Sequence, residues 1–290
     1  MSQPPLPLVG LDANPTSDFD LRRVRFVEHV DPLVSMDART SMLMTFTAPS
    51  LRYALCSSIS IQDQHSPESM EVMFLPLDSA GGNSPAPEGL NRWLDSGDMV
   101  ATQPRVMVKS RVAEVTWRPG RVVLRCEPDQ MNPLLMALVE FHYFEKELRK
   151  LESEIEAGWS DLNQDRRLAF KVTDQDLIQS QSLGNRMEQT LERRMRHARI
   201  EPFLYLPGYQ LSVAAQKLGE ELREKTRIEA RCESVDSQIE VFEHVYEMAS
   251  QRLGEFRDAR YGHKLEWIII LLLAAEMVWL IAEFLMNLEY

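Results

Sequence analysis

The stretch WIIILLLAAEMVWLIAEFLMNL, residues 267–288, is apolar except for Glu276, Glu283 and Asn287. A helix needs about 20 predominantly apolar residues to cross the hydrocarbon core of a bilayer. The run has that length, so the sequence predicts one C-terminal transmembrane helix within an anchor over 265–290. Arg257, Arg260, His263 and Lys264 stand before it, and Glu289 and Tyr290 after it. By the positive-inside bias the N-terminal part then faces the cytoplasm, or the matrix of a mitochondrion. The opening MSQPPLPLVGLDANPTSDFD holds neither Arg nor Lys, whereas a mitochondrial presequence is Arg-rich and poor in acids. The expected address is therefore a single-pass protein of the bacterial cytoplasmic membrane, with the mitochondrial inner membrane, facing the matrix, as the alternative.

Upstream of this run, Ile228, Cys232, Val235, Ile239, Phe242, Tyr246, Ala249, Leu253 and Phe256 recur at spacings of four and three. That is the pattern of a coiled-coil seam. No proline follows Pro207, so nothing forces the helix to stop before the apolar run. The seam has two readings: a coil between copies, or a long helix packed against other helices of its own subunit. Phe242 and Tyr246 are bulky for a dimer seam and favour the second. Inside the run, a charged Glu276 costs roughly 2.5 to 3.5 kcal/mol on insertion scales. Glu276 is therefore expected to face another helix, with Glu283 further along the same face. Ala275 and Ala282 leave room for a second backbone, and Trp267 opens the run. A transport-linked role for Glu276 is the sharper alternative.

At this point the chain resembles a known family. Lys264-Leu265-Glu266-Trp267-Ile268-Ile269-Ile270 followed by Glu276 is similar to the C-terminal signature of the Required for Meiotic Nuclear Division family. Glu201-Pro202-Phe203-Leu204-Tyr205 resembles an upstream element of that family, and residues 218–239, with Arg231 in register, resemble the helix that follows it. The chain departs from the pattern at Leu206, where the family has an aromatic residue, and at Pro207-Gly208. The resemblance covers roughly 195–285. It implies a membrane-anchored protein with no assigned catalytic chemistry, whose mitochondrial relatives serve organellar translation as scaffolds.

Composition narrows the function classes. The chain of 290 residues carries 44 acidic and 32 basic side chains, a net charge of −12. A surface of that sign repels phosphate backbones, so direct nucleic-acid binding is disfavoured. Cys56, Cys126 and Cys232 show no metal or disulfide spacing and fit buried thiols in a reducing compartment. The six histidines are scattered, so no metal site is expected. Gly81-Gly82 lacks the Lys-Ser/Thr of a phosphate loop, and no nucleophile motif stands out. Neither a catalytic residue nor a cofactor is expected. The one dense basic cluster, Arg193, Arg194, Arg196 and Arg199, either meets anionic lipid or an acidic partner, or complements the dipole at a helix end.

Taken in order, residues 1–20 are rich in proline and polar side chains and read as a disordered tail. Residues 21–128 read as a small sheet-containing domain. Strands are expected at 24–30, 41–47, 54–61, 71–77, 106–109, 112–117 and 122–126, with a loop over 78–89 and a short helix at 90–94. Arg118-Pro119-Gly120 marks a hairpin. From 129 to 264 the pattern becomes that of a helical bundle and coiled-coil stalk, with helices starting near 129, 173 and 211 and a break over 200–209. The expected class is α+β: a small N-terminal sheet domain, a long helical bundle or stalk, and one transmembrane helix. The expected function is a membrane-anchored, non-enzymatic scaffold that self-associates through its C-terminal helix and presents its N-terminal domain to a protein partner. The expected partners are lipid, further copies of the chain and an unidentified protein. A regulatory or structural subunit of a membrane transport complex is the alternative.

Overall fold

The computed structural model of the chain describes residues 20–30, 40–59, 69–77, 88–95, 105–208 and 210–288, without the side chains of 88, 178–180 and 282–288. The tail expected over 1–20 falls outside these residues up to position 19, as does most of the expected loop over 78–89. The protein is α+β, with an N-terminal sheet and long helices. It divides into two compact units, residues 1–153 with 195–236, and residues 154–194 with 237–290. The division does not fall at the strand-to-helix switch near 129.

Among the described residues of the first unit, seven strands form one sheet: β1 Asp20–Val27, β2 Thr40–Phe46, β3 Arg52–Ser58, β4 Ser69–Pro76, β5 Val106–Lys109, β6 Ala113–Arg118 and β7 Arg121–Cys126. Their order is β2-β3-β1-β4-β7-β6-β5. Every pairing is antiparallel except that of β4 with β7. The register of β2 on β3 shifts between Met42 and Met44, a bulge. The expected hairpin forms at Pro119-Gly120, where Gly120 takes φ 81°, a region open to glycine and strained for other residues.

Period-two alternation gives the sheet two covered faces. On one, Leu21, Met73 and Val123 pack with Leu90, Trp93 and Leu94 of α1, Glu88–Asp95. On that same face the buried Glu71 pairs with Arg23 at 2.8 Å and Arg121 at 3.2 Å, and the Arg121 guanidinium lies over the Trp93 ring. The other face meets α2, Met131–Asp165. Trp117 meets Phe141 edge-on, Phe26 stacks on His142, and Phe46 packs with Tyr143 and Phe144. Phe46, Phe141 and Phe144 are buried, and each contributes roughly 1.5 to 3 kcal/mol by leaving water.

Three further α-helices follow among the described residues: α3 Ser180–Tyr205, α4 Val213–Lys225 and α5 Ile228–Leu288. The expected break over 200–209 starts later than expected, since Pro202 lies inside α3, which continues to Tyr205, and the chain leaves the helix at Leu206. An interior proline costs about 3 kcal/mol. Here the Phe203 ring stacks on Phe144 at 4.7 Å, and Arg223 donates to the carbonyls of Phe203 and Leu204. The second unit has its own centre. Phe242 of α5 lies edge-on to Trp159 and under the Arg193 guanidinium, and comes within 3.0 Å of the place a Cβ on Gly158 would take. The missing Cβ at Gly158 leaves the seat that this ring takes.

The expected transmembrane anchor is not supported. Among the described residues, no helix is long and apolar enough to cross a membrane. Lys264 and Glu266 stand at the head of the run and Glu276 interrupts it. The assignments that depended on a span, the anchor over 265–290 and the single-pass location in a bacterial or mitochondrial membrane, are corrected with it.

His142 provides a test of the packed face. It is buried, and its Nδ1 has no hydrogen-bond partner among the described residues. Burial first, then the charges of Arg149 and Lys146, push its pKa down to about 3. The unfolded chain takes up this proton near pH 6.5 and the folded chain does not, so stability falls as pH drops from about 6.5 towards 3. Urea unfolding at about pH 7.5 and pH 5 is expected to show His142→Phe losing roughly 2 kcal/mol less than the natural chain over that interval.

Candidate self-association surface

The heptad residues of α5 are buried within the chain itself. In the first unit Ile228 and Val235 are each 1% exposed; in the second, Ile239, Phe242, Tyr246, Ala249 and Leu253 are also buried. Phe256 is half-buried. The seam is occupied by this chain's own helices, so these residues do not offer a free face to a second copy.

The apolar run beyond the seam is different. Ile268, Ile269, Ile270 and Leu271 are each more than half exposed. Successive helical positions are about 100° apart, so four in a row sample the whole circumference. Trp267 is 66% exposed and Trp279 73%, and Ala275 and Glu276 are exposed as well. The side chains of Ala282 and Glu283 lie outside the described residues. A helix apolar on every side belongs in a buried setting, yet this one meets solvent throughout its described length.

The basic cluster does not form a free patch. Arg193 lies over the Phe242 ring and 4.0 Å from Glu154, while Arg194 forks onto Glu243 at 3.0 and 2.8 Å. Arg196 is half-buried, and Arg199 is exposed.

Polar clusters that sequence spacing did not reveal lie in the first unit. Glu140 Oε1 accepts from Arg223 at 3.1 Å and from the Gly208 backbone N–H at 2.8 Å. Arg223 also donates to the carbonyls of Gly219, Phe203 and Leu204. Burial draws its pKa down, and Glu140 works against that. A Cβ on Gly208 would stand 2.7 Å from Glu140 Oε2, and one on Gly219 would stand 2.9 Å from Arg223 Nη1. Both glycines leave the space that the ion pair fills. Nearby, Arg231 forks onto Glu152 at 2.8 and 2.7 Å and reaches Glu145 at 3.1 Å. Burial opposes its charge, but the two carboxylates outweigh this and hold it above the usual arginine range.

The fold also brings together Cys232, His197 and Asp236. The His197 Nε2 lies 3.2 Å from the Cys232 sulfur, and its Nδ1 lies 3.9 Å from Asp236, too far for a hydrogen bond. Cys232 is 0% exposed, and burial pushes its thiol up to about 11. A nucleophilic cysteine needs the opposite, a lowered pKa and access. A crevice lined by Phe141, Phe144, Glu145, Phe203, Leu204, Arg223 and Ile228 is too narrow for a water molecule and draws nothing from 21–128. Among the described residues no group of three or more His, Cys, Asp or Glu side chains could hold a metal ion.

No protein-family model matches the chain, and no curated protein matches it.

These placements separate residues that hold the fold from residues that could meet a partner. Phe242→Ala is expected to destabilise the chain by about 3 to 5 kcal/mol in urea unfolding, with the subunit count of the folded protein unchanged. Glu140→Ala leaves the Arg223 charge buried and unpaired, and is expected to cost about 3 to 5 kcal/mol. Gly208→Ala, which displaces the same carboxylate, is expected to destabilise in the same direction.

Proposed function

We propose that this protein is a non-enzymatic scaffold that self-associates through the apolar part of α5 and offers its sheet-containing unit to a protein partner. The uncovered circumference of residues 265–281 carries this reading. From their fractional exposures, the large apolar side chains there present on the order of 1,500 Å², against about 800 Å² per partner in a standard interface. Monomeric proteins seldom expose an apolar patch beyond a few hundred Å². Because the surface wraps the helix, one neighbour covers only one stripe of it, which favours more than two copies. The acidic balance of the chain speaks against nucleic acid as the partner, and the buried thiol and closed crevice lend nothing to an enzymatic reading. The resemblance to the Required for Meiotic Nuclear Division family points the same way, since that family has no assigned catalytic chemistry. The transport-subunit alternative depended on a membrane span, and among the described residues no helix is long and apolar enough to make one.

The test is the native mass of the full chain in buffer, by sedimentation velocity at micromolar concentration. A multimer is expected for the natural sequence. Leu272→Ser with Trp279→Ser is expected to bring it to a single chain with an unchanged circular dichroism spectrum. A natural chain that sediments as one copy of 33.4 kDa would sink the reading.

A further inference from the structure

We propose that assembly through α5 is linked to proton uptake, with Glu276 as the group that titrates. This rests on the reading of residues 265–281 as the contact between copies and adds a control to it. Within residues 267–281 the one ionisable side chain is Glu276. Its helical neighbours three, four and seven positions away are Ile269, Leu272, Leu273, Trp279 and Leu280, all at least half exposed. The stripe that carries the carboxyl is thus as apolar as the rest of the circumference. A contact that removes this run from water must enclose Glu276 along with it.

The groups that would face the carboxyl follow from the chain. Towards the N-terminus the nearest charges are Glu266 and Lys264, about 15 and 18 Å of helical rise away and beyond the ~8 Å screening length. Glu266 already meets His263 at 3.2 Å. Seven positions on in the sequence stands Glu283, a second acid. Among the described residues, no ion pair or hydrogen bond engages Glu276, so what faces it on assembly is apolar side chains and the Glu276 of other copies. A carboxylate there is enclosed without a cation, beside others of its own sign, and this opposes assembly. One proton taken from solvent by a carboxylate oxygen removes the charge. The resulting O–H can donate to the carboxyl of the next copy, so lower pH favours the assembled state.

Sedimentation velocity on the full chain between about pH 8 and pH 6, above the pI of ≈ 5.1, reads the linkage directly. The concentration for half-assembly is expected to fall about tenfold or more over this range in the natural chain. In Glu276→Gln it is expected to change by less than about twofold, with assembly at pH 8 as tight as that of the natural chain at pH 6. His263 is retained in that variant, so a pH dependence arising there would survive the substitution. Acid strengthening that persists in Glu276→Gln, or that disappears in Glu283→Gln instead, would overturn the proposal. A natural chain that assembles equally at every pH would overturn it while leaving the scaffold reading intact. One that never assembles would overturn both.

Discussion

The contact between Glu140 and Arg223 organises the helical part of the first unit. A guanidinium taken out of water in this way must place most of its donors. Arg223 does so on Glu140 of α2, on the carbonyls that end α3 and on its own helix. The partner carboxylate holds the backbone of Gly208 in the segment joining α3 to α4. One side chain therefore fixes where α3 stops, how the chain turns, and where α4 lies relative to α2. Gly208 and Gly219 follow from it, because a methyl group at either position would occupy space the pair requires.

The same choice of partner recurs through the protein. Glu71, Glu145, Asp165 and Asp176 are buried acids, and each meets arginine. The planar fork of arginine matches a carboxylate in two places and sheds water more readily than an ammonium does. These arginines are thereby tied to carboxylates in the fold. Arg193 and Arg194 show the effect. They read as a basic patch in one dimension and become part of the packing of Phe242 and Glu243 in three.

What the sequence revealed follows the range of each interaction. The seven strands were legible because alternation and turn residues act over a few positions, and the Pro119-Gly120 hairpin was plain for that reason. The heptad of α5 was legible as a buried stripe, but a stripe does not name its partner, and the chain's own helices fill it. Pro202 suggested a break because its local cost was clear. The compensating contacts came from Phe144 and Arg223, distant in sequence. Glu140 and Arg223 are 83 residues apart, and nothing in their surroundings pairs them. Counting apolar residues at the end of the chain suggested a bilayer, but Glu276 interrupts the run, and among the described residues no helix is long and apolar enough to cross one.

The two margins of the sheet are finished in different ways. At β5 the strand is four residues long, and the Lys225 ammonium donates to the Met107 carbonyl. At β2 the strand is seven residues, TSMLMTF, without a charge, the kind of border on which a stray chain can template itself. The bulge between Met42 and Met44 breaks the even ladder of donors and acceptors that an intruding strand would have to match. An irregularity in pairing thus serves as a guard against fibril growth where side-chain chemistry offers none.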